Sequence, residues 1–192
     1  DFVPQLNALD VDTIHLRINS PGGDVFDGRA MATALRNHKA KVIAHIDGQA
    51  CSAATYIALA ADEVEIADGG FFMIHNAWTM AMGNSGDLLE TAALLDKVDA
   101  SIVADYQRKT GKSAEQIAQW MADTTWFTAQ EAVENGFADR IMEGQKAAKN
   151  QWNLDAYGNA PAALMNKETE QEPEIDRAAL ERRLSLLEKI AL

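Results

Sequence analysis

The sequence predicts an α/β fold with a mostly parallel sheet and flanking helices, and three observations lead there. Segments that alternate polar and apolar residues take turns along the chain with segments of helical period. Glycine-rich breaks stand where strands hand over to helices, as at Pro21-Gly22-Gly23. One helical stretch, Ser85 to Thr110, runs for 26 residues, roughly 39 Å at 1.5 Å per residue, and is too long for one small core to cover.

Taken in order, residues 12 to 18 (Asp-Thr-Ile-His-Leu-Arg-Ile) alternate as a strand does, and Asn19 to Gly23 breaks the chain. A helix to about His38 follows, with Val25, Phe26, Ala30, Met31, Ala34 and Leu35 as its apolar face. Lys41 to Ile46 reads as a second strand that Asp47-Gly48 ends, and Ser52 to Ala61 as a buried helix. Glu63 to Ala67 and Phe71 to His75 read as two short strands joined through Asp68-Gly69-Gly70. The long helix carries Leu88, Leu89, Ala92, Leu95, Val98, Ile102 and Tyr106 at helical spacing and is broken by Gly111. Ser113-Ala-Glu-Gln116 and Thr128-Ala-Gln-Glu131 are capping boxes that start two more helices, the second closed by Gly136.

The composition changes near residue 143, which places a catalytic-type domain over 1–143 and a polar, acidic linker over 144–174. Five acids lie between Glu168 and Asp176, a solvated and mobile pattern. Residues 175–192 recover a helical period through Leu180, Leu184, Leu187 and Ala191, a tail helix in need of a partner surface.

The net charge of −12 and the lack of a basic patch argue against nucleic acid as partner, and no apolar run reaches the roughly 18 residues of a membrane span. A single cysteine excludes an internal disulfide framework and suits a reducing compartment, here the cytoplasm. The chain opens at Asp1 without a methionine, so a processed or truncated N-terminus is expected. No cofactor and no metal are expected. Thr110-Gly-Lys-Ser113 ends like a phosphate-binding loop, but Tyr106 stands where that loop needs glycine, so the chain carries no ATPase of its own.

Three segments carry chemistry. In Asn19-Ser-Pro-Gly-Gly23, backbone N–H groups at a strand-to-helix turn can meet developing negative charge. In Gly48-Gln-Ala-Cys-Ser52-Ala-Ala, a serine at a strand end among small residues has room to face a substrate. Cys51 is the rival nucleophile, although buried structural cysteine is the commoner state. In Met73-Ile-His75-Asn76 a histidine stands where an apolar strand opens. His15 and His45 fall inside strands, and His38 ends a helix. His75 is therefore the candidate general base and Ser52 the favoured nucleophile.

Together these residues resemble ClpP, the proteolytic subunit of the Clp protease. The likeness rests on Arg17-Ile-Asn-Ser-Pro-Gly-Gly23, Gly48-Gln-Ala-Cys-Ser52, Met73-Ile-His75 and Thr128-Ala-Gln-Glu-Ala-Val-Glu-Asn-Gly136, and covers roughly residues 1 to 142. It implies a ClpP/crotonase-like fold with the long helix as a projecting handle, lacking the family's N-terminal strand and axial segment. It implies a serine endopeptidase with Ser52 as nucleophile, His75 as base, and Gly23 and Ala53 as oxyanion-hole donors. It implies polypeptide substrates, a ring-type homo-oligomer and an ATPase unfoldase as a possible partner.

Asn76-Ala-Trp78 and Thr125-Trp-Phe-Thr128 resemble the phage-encoded, ClpP-like head maturation proteases, which implies capsid or scaffold substrates in a host cytoplasm. The family's acid slot holds Thr124, with Asp123 one residue earlier as the candidate third member. Two other readings stay open: a crotonase-like acyl-CoA hydratase or isomerase, and a ClpP-like assembly protein without catalysis. A Ser-Lys signal-peptide peptidase would need lysine where His75 stands.

Overall fold

The computed structural model describes residues 2–146, 154, 157–162 and 164. Most of the expected linker and the whole of the expected tail helix lie outside the described residues. The elements are α1 (Phe2–Asn7), β1 (Thr13–Ser20), α2 (Val25–Asn37), β2 (Lys41–Cys51), α3 (Ala54–Ala58), β3 (Glu63–Asp68), β4 (Phe71–Ile74), α4 (Ser85–Thr110), α5 (Ala114–Ala122), β5 (Thr125–Thr128), α6 (Ala129–Glu134) and β6 (Arg140–Lys146).

The strands form one six-stranded sheet in the order β5-β4-β2-β3-β6, with β1 also on β2. Every pairing is parallel except β4 with β5, so the α/β expectation holds. β2 organises the sheet. Its first half runs in register with both β1 and β3, and Gln49 to Cys51 then take β4 as partner. Asp47-Gly48 therefore does not end the strand, because ladder partners on either side outweigh the local turn preference. The helix expected from Ser52 to Ala61 shrinks to α3, since Ser52 itself takes a left-handed backbone and the chain turns after Ala58 to start β3. α1, β5 and β6 were not expected from the sequence; β5 is only four residues long, too short to show a period.

Even-numbered residues of β2 (Val42, Ala44, Ile46) point into the core. The rings of Phe72, Phe127, Trp120 and Tyr106 surround fully buried Phe137 at 4.9 to 6.2 Å between centroids, joining β4, β5, α5 and α4. The odd-numbered face carries a polar ladder instead. His15 Nδ1 and His45 Nε2 are 2.9 Å apart, His45 Nδ1 meets Glu65 at 2.9 Å, and Arg140 bridges Glu65 and Glu63. Both strand histidines are thus absorbed by cross-strand pairing, and His38 Nδ1 accepts from the backbone N–H of Ala40.

α4 begins with a capping box between Asn84 and Asp87 and ends at left-handed Gly111. Only Ile102 and Tyr106 of this helix are buried, while Leu88, Leu89 and Leu94 are exposed. Its first half therefore projects from the domain as a handle, up to Val98, which packs on the core, and Asp99, which accepts from the Ala77 N–H at 2.7 Å. Ser113 caps α5, and Thr128 with Glu131 forms the full box at α6, followed by Gly136 at φ 82°.

Tyr106 ties the handle to the Ser52 segment. Its hydroxyl lies 2.7 Å from Thr55 Oγ1, which donates in turn to the Ser52 carbonyl at 2.5 Å. Tyr106→Phe removes one buried hydrogen bond and is expected to cost about 1 kcal/mol in urea unfolding, whereas Thr55→Val removes two, those of Oγ1 with Tyr106 and with the Ser52 carbonyl, and should cost about 2 kcal/mol.

Candidate active site

Ser52 follows β2 directly and holds φ at +53°, a left-handed conformation that a non-glycine residue adopts at a cost of roughly 1–3 kcal/mol. Three contacts keep it there. Its N–H donates to the Met73 carbonyl at 2.9 Å, its own carbonyl accepts from Thr55, and the backbone of Gly22 presses against it. A Cβ on Gly22 would stand 2.6 Å from the Cys51 carbonyl oxygen and 2.7 Å from Ser52 Cβ, and Gly22 itself sits at φ 102°. Only glycine lets the two turns approach so closely.

The Ser52 hydroxyl meets His75 Nε2 at 2.7 Å. His75 follows the last residue of β4, the strand that pairs with Gln49 to Cys51, so sheet register brings the two side chains together. Burial lowers the His75 pKa below its ordinary 6.5, and a hydrogen bond with the Asn76 backbone acts weakly the other way. The ring is thus held neutral with one nitrogen towards the serine, as a base must be. Cys51 is fully buried, and burial pushes its thiol far up, which removes it as a thiolate nucleophile.

Space beside Gly23 is open, with nothing within 4 Å of where a Cβ would stand. Among the described residues, the N–H groups of Gly23 and Ala53 have no protein acceptor, and both residues adjoin the Gly22–Ser52 contact. Asp123 closes α5, and its carboxylate accepts from Gln119 Nε2 at 2.9 Å on both oxygens. Among the described residues no carboxylate pairs with His75. Asp123 still lies on the neighbouring segment, since the Asn76 N–H donates to the Met121 carbonyl. Thr124, in the expected acid slot, is left-handed at φ 50°.

Tyr157 was not foreseen. Its ring stands edge-on to His75 at 5.2 Å between centroids, and its hydroxyl donates to the Pro21 carbonyl at 2.7 Å. The only signal in the sequence is an aromatic residue inside a polar stretch, which does not say where it docks.

The Clp protease family model matches residues 1–145. The chain belongs to the Clp protease family. An ATP-dependent Clp protease proteolytic subunit of Streptococcus sanguinis is 33% identical, with 74% of this chain and 76% of the relative covered. One from Streptococcus equi subsp. equi is 31% identical over 76% of this chain and 79% of the relative. Among solved structures, a ClpP1 mutant from Listeria monocytogenes matches with a TM-score of 0.67 at 26% identity, covering 74% of this chain and 82% of that one. Proteolytic-subunit relatives imply a peptidase, and a ClpP-type fold accounts for the sheet and the handle. No helix among the described residues is long and apolar enough to cross a membrane, and no cluster of metal-ligating side chains occurs among them.

Because burial disfavours the imidazolium, His75 stays unprotonated to lower pH than a free histidine. The rate of labelling by a fluorophosphonate should therefore fall on acidification with a midpoint below 6.5, as the ring takes a proton. In the same window the unfolded chain binds that proton first, so this group makes acidification destabilising. A labelling midpoint above 6.5 would contradict the buried, neutral base.

Proposed function

We propose that this protein is a serine endopeptidase that hydrolyses polypeptides through an acyl-enzyme, with Ser52 as nucleophile and His75 as general base. The observation that carries the reading is the 2.7 Å contact between the Ser52 hydroxyl and His75 Nε2. His75 takes the proton as Ser52 Oγ attacks the scissile carbonyl, then returns it to the leaving amine; water repeats the sequence to free the acid. The Gly23 and Ala53 N–H groups, which lack protein acceptors among the described residues, receive the oxyanion. Asp123 is the proposed third member. It would have to exchange Gln119 for the imidazole when substrate binds, and until then the Asn76 backbone orients the ring.

Ring-type self-association is proposed from the exposed leucines of α4, which give the handle an apolar surface for another copy. An ATPase unfoldase is a proposed partner, because the relatives are described as ATP-dependent. The proposed substrates are capsid or scaffold proteins in a host cytoplasm, a reading supported by Asn76-Ala-Trp78 and Thr125-Trp-Phe-Thr128. Incubating the enzyme with such proteins and mapping new termini by mass spectrometry tests that narrower step.

Ser52→Ala should abolish peptide hydrolysis and fluorophosphonate labelling, while Cys51→Ala keeps most of both. Failure of wild type to label at Ser52 would favour the acyl-CoA or non-catalytic readings. Asp123→Asn should cost far more than Thr124→Ala, with the roughly ten-thousandfold loss seen in chymotrypsin-type triads as an upper guide. Equal, small effects would mean a dyad. For assembly, Leu89→Asp should shift mass photometry from a large species towards a small one. A stable, fully active monomer in the wild type would overturn the assembly reading.

A further inference from the structure

The described residues beyond β6 do not lie apart from the domain. Leu154 and Leu164 are buried, and Tyr157, Gly158 and Asn159 touch the segments that carry Pro21, His75, Trp126 and Asp123. The Tyr157 hydroxyl donates to the Pro21 carbonyl at 2.7 Å, next to the Gly22-Gly23 turn. Its ring stands edge-on to His75 and to Trp126 of β5, with centroids 5.2 and 6.4 Å away. Trp126 Nε1 donates to the Gly158 carbonyl at 3.1 Å, and Asn159 Nδ2 donates to the Asp123 carbonyl at 2.9 Å. Burial raises the Tyr157 pKa, with the Ser52 hydroxyl acting in the opposite sense, so the phenol keeps its proton beside the nucleophile.

We propose that the segment around Tyr157 is an intramolecular occupant of the catalytic cleft, a strap that a polypeptide must displace to reach Ser52. The inference rests on the serine-peptidase reading of the site. Its physical basis is competition for the same groups. A substrate whose carbonyl carbon approaches Ser52 must pass between the Pro21 turn and His75, and the Tyr157 side chain bridges these two. Leu154 and Leu164 hold the strap at both ends, while its middle relies on three side-chain hydrogen bonds and ring edges. Such a middle can open without unfolding the domain. The chain then reacts in proportion to its open fraction.

Two measurements on the full chain test this. First, the rate of labelling by a small fluorophosphonate is compared for wild type, Tyr157→Phe and Tyr157→Ala, with Ser52→Ala as blank. Occlusion predicts that Tyr157→Ala labels about fivefold faster or more, with Tyr157→Phe between it and wild type because the ring stays on His75 and the bond to Pro21 is lost. A rate equal to or below wild type in Tyr157→Ala would overturn the strap and leave the serine-peptidase reading intact. Second, the His75 imidazole is titrated by NMR, its signal identified through His75→Gln. Removing the phenol exposes the ring to water, so Tyr157→Ala should move its midpoint upward by a measurable fraction of a unit. An unmoved midpoint overturns the strap even if no variant reacts with the probe, whereas an upward shift without labelling would uphold the strap and sink the serine chemistry. Tyr157→Phe keeps the packing, so the labelling comparison remains readable should Tyr157→Ala be too unstable to study, and a Tyr157→Phe rate equal to or below wild type would then overturn the strap.

Discussion

The site depends on one close approach, the backbone of Gly22 against the Cys51–Ser52 peptide. A serine at φ 53° is strained, and its own turn holds it only through the Thr55 bonds to its carbonyl. The surroundings do the rest: β4 supplies the Met73 carbonyl, and the Pro21-Gly22-Gly23 turn closes over the top. Because β1 leads into that turn and β2 leads into Ser52, the parallel β1–β2 register sets their separation. Gly23 and Ala53, whose N–H groups have no protein acceptor among the described residues, adjoin that contact in the chain. Geometry that looks local to a five-residue motif is thus a consequence of sheet pairing.

That dependence explains what the sequence could and could not reveal. Ser52 and His75 were legible because both stand at strand ends flanked by turn residues, and strand ends of a parallel sheet gather on one edge. The long helix was legible because 26 residues of helical period have no other reading. The continuation of β2 through Asp47-Gly48 was not, since its cause is the partner strands and not the residues themselves. Asp123 sits close in sequence to the expected acid slot, yet its carboxylate turns to Gln119, four residues back along α5, a choice that spacing cannot show. Tyr157 was invisible for a similar reason, because its partner Pro21 lies 136 residues away.

The molecule also divides its polar and apolar surface by strand parity. Odd-numbered residues of β1, β2 and β3 build the ladder His15–His45–Glu65, which Arg140 of β6 continues, and these pairings occupy both strand histidines. Even-numbered residues face the core. A one-residue slip of β2 would exchange these faces and bury His45 and Asp47. Register is therefore fixed by the cost of burying charge as well as by the gain from burying Val42, Ala44 and Ile46. The exposed leucines of α4 break this economy, and they do so where the helix has left the domain and has no sheet to cover it.

Desolvation acts on three titratable groups within the site and favours the neutral form of each. It raises the Cys51 thiol, so the sulfur beside the nucleophile stays protonated and inert. It lowers His75, so the imidazole is neutral and able to accept the Ser52 proton. It raises the Tyr157 phenol, so the hydroxyl remains a donor to Pro21 and brings no negative charge next to the oxyanion donors. The same burial carries a penalty for the reaction, because the imidazolium formed during attack is the species that the pocket disfavours. A carboxylate brought to the ring would offset that penalty by favouring the charged form. With Asp123 bonded to Gln119, the resting site lacks that compensation. A site occupied by the proposed strap has no need of it, since in the proposed mechanism the charge arises only once a substrate has entered. In the proposed triad Asp123 is recruited with the substrate, once the turn that carries it is no longer held through its carbonyl by Asn159.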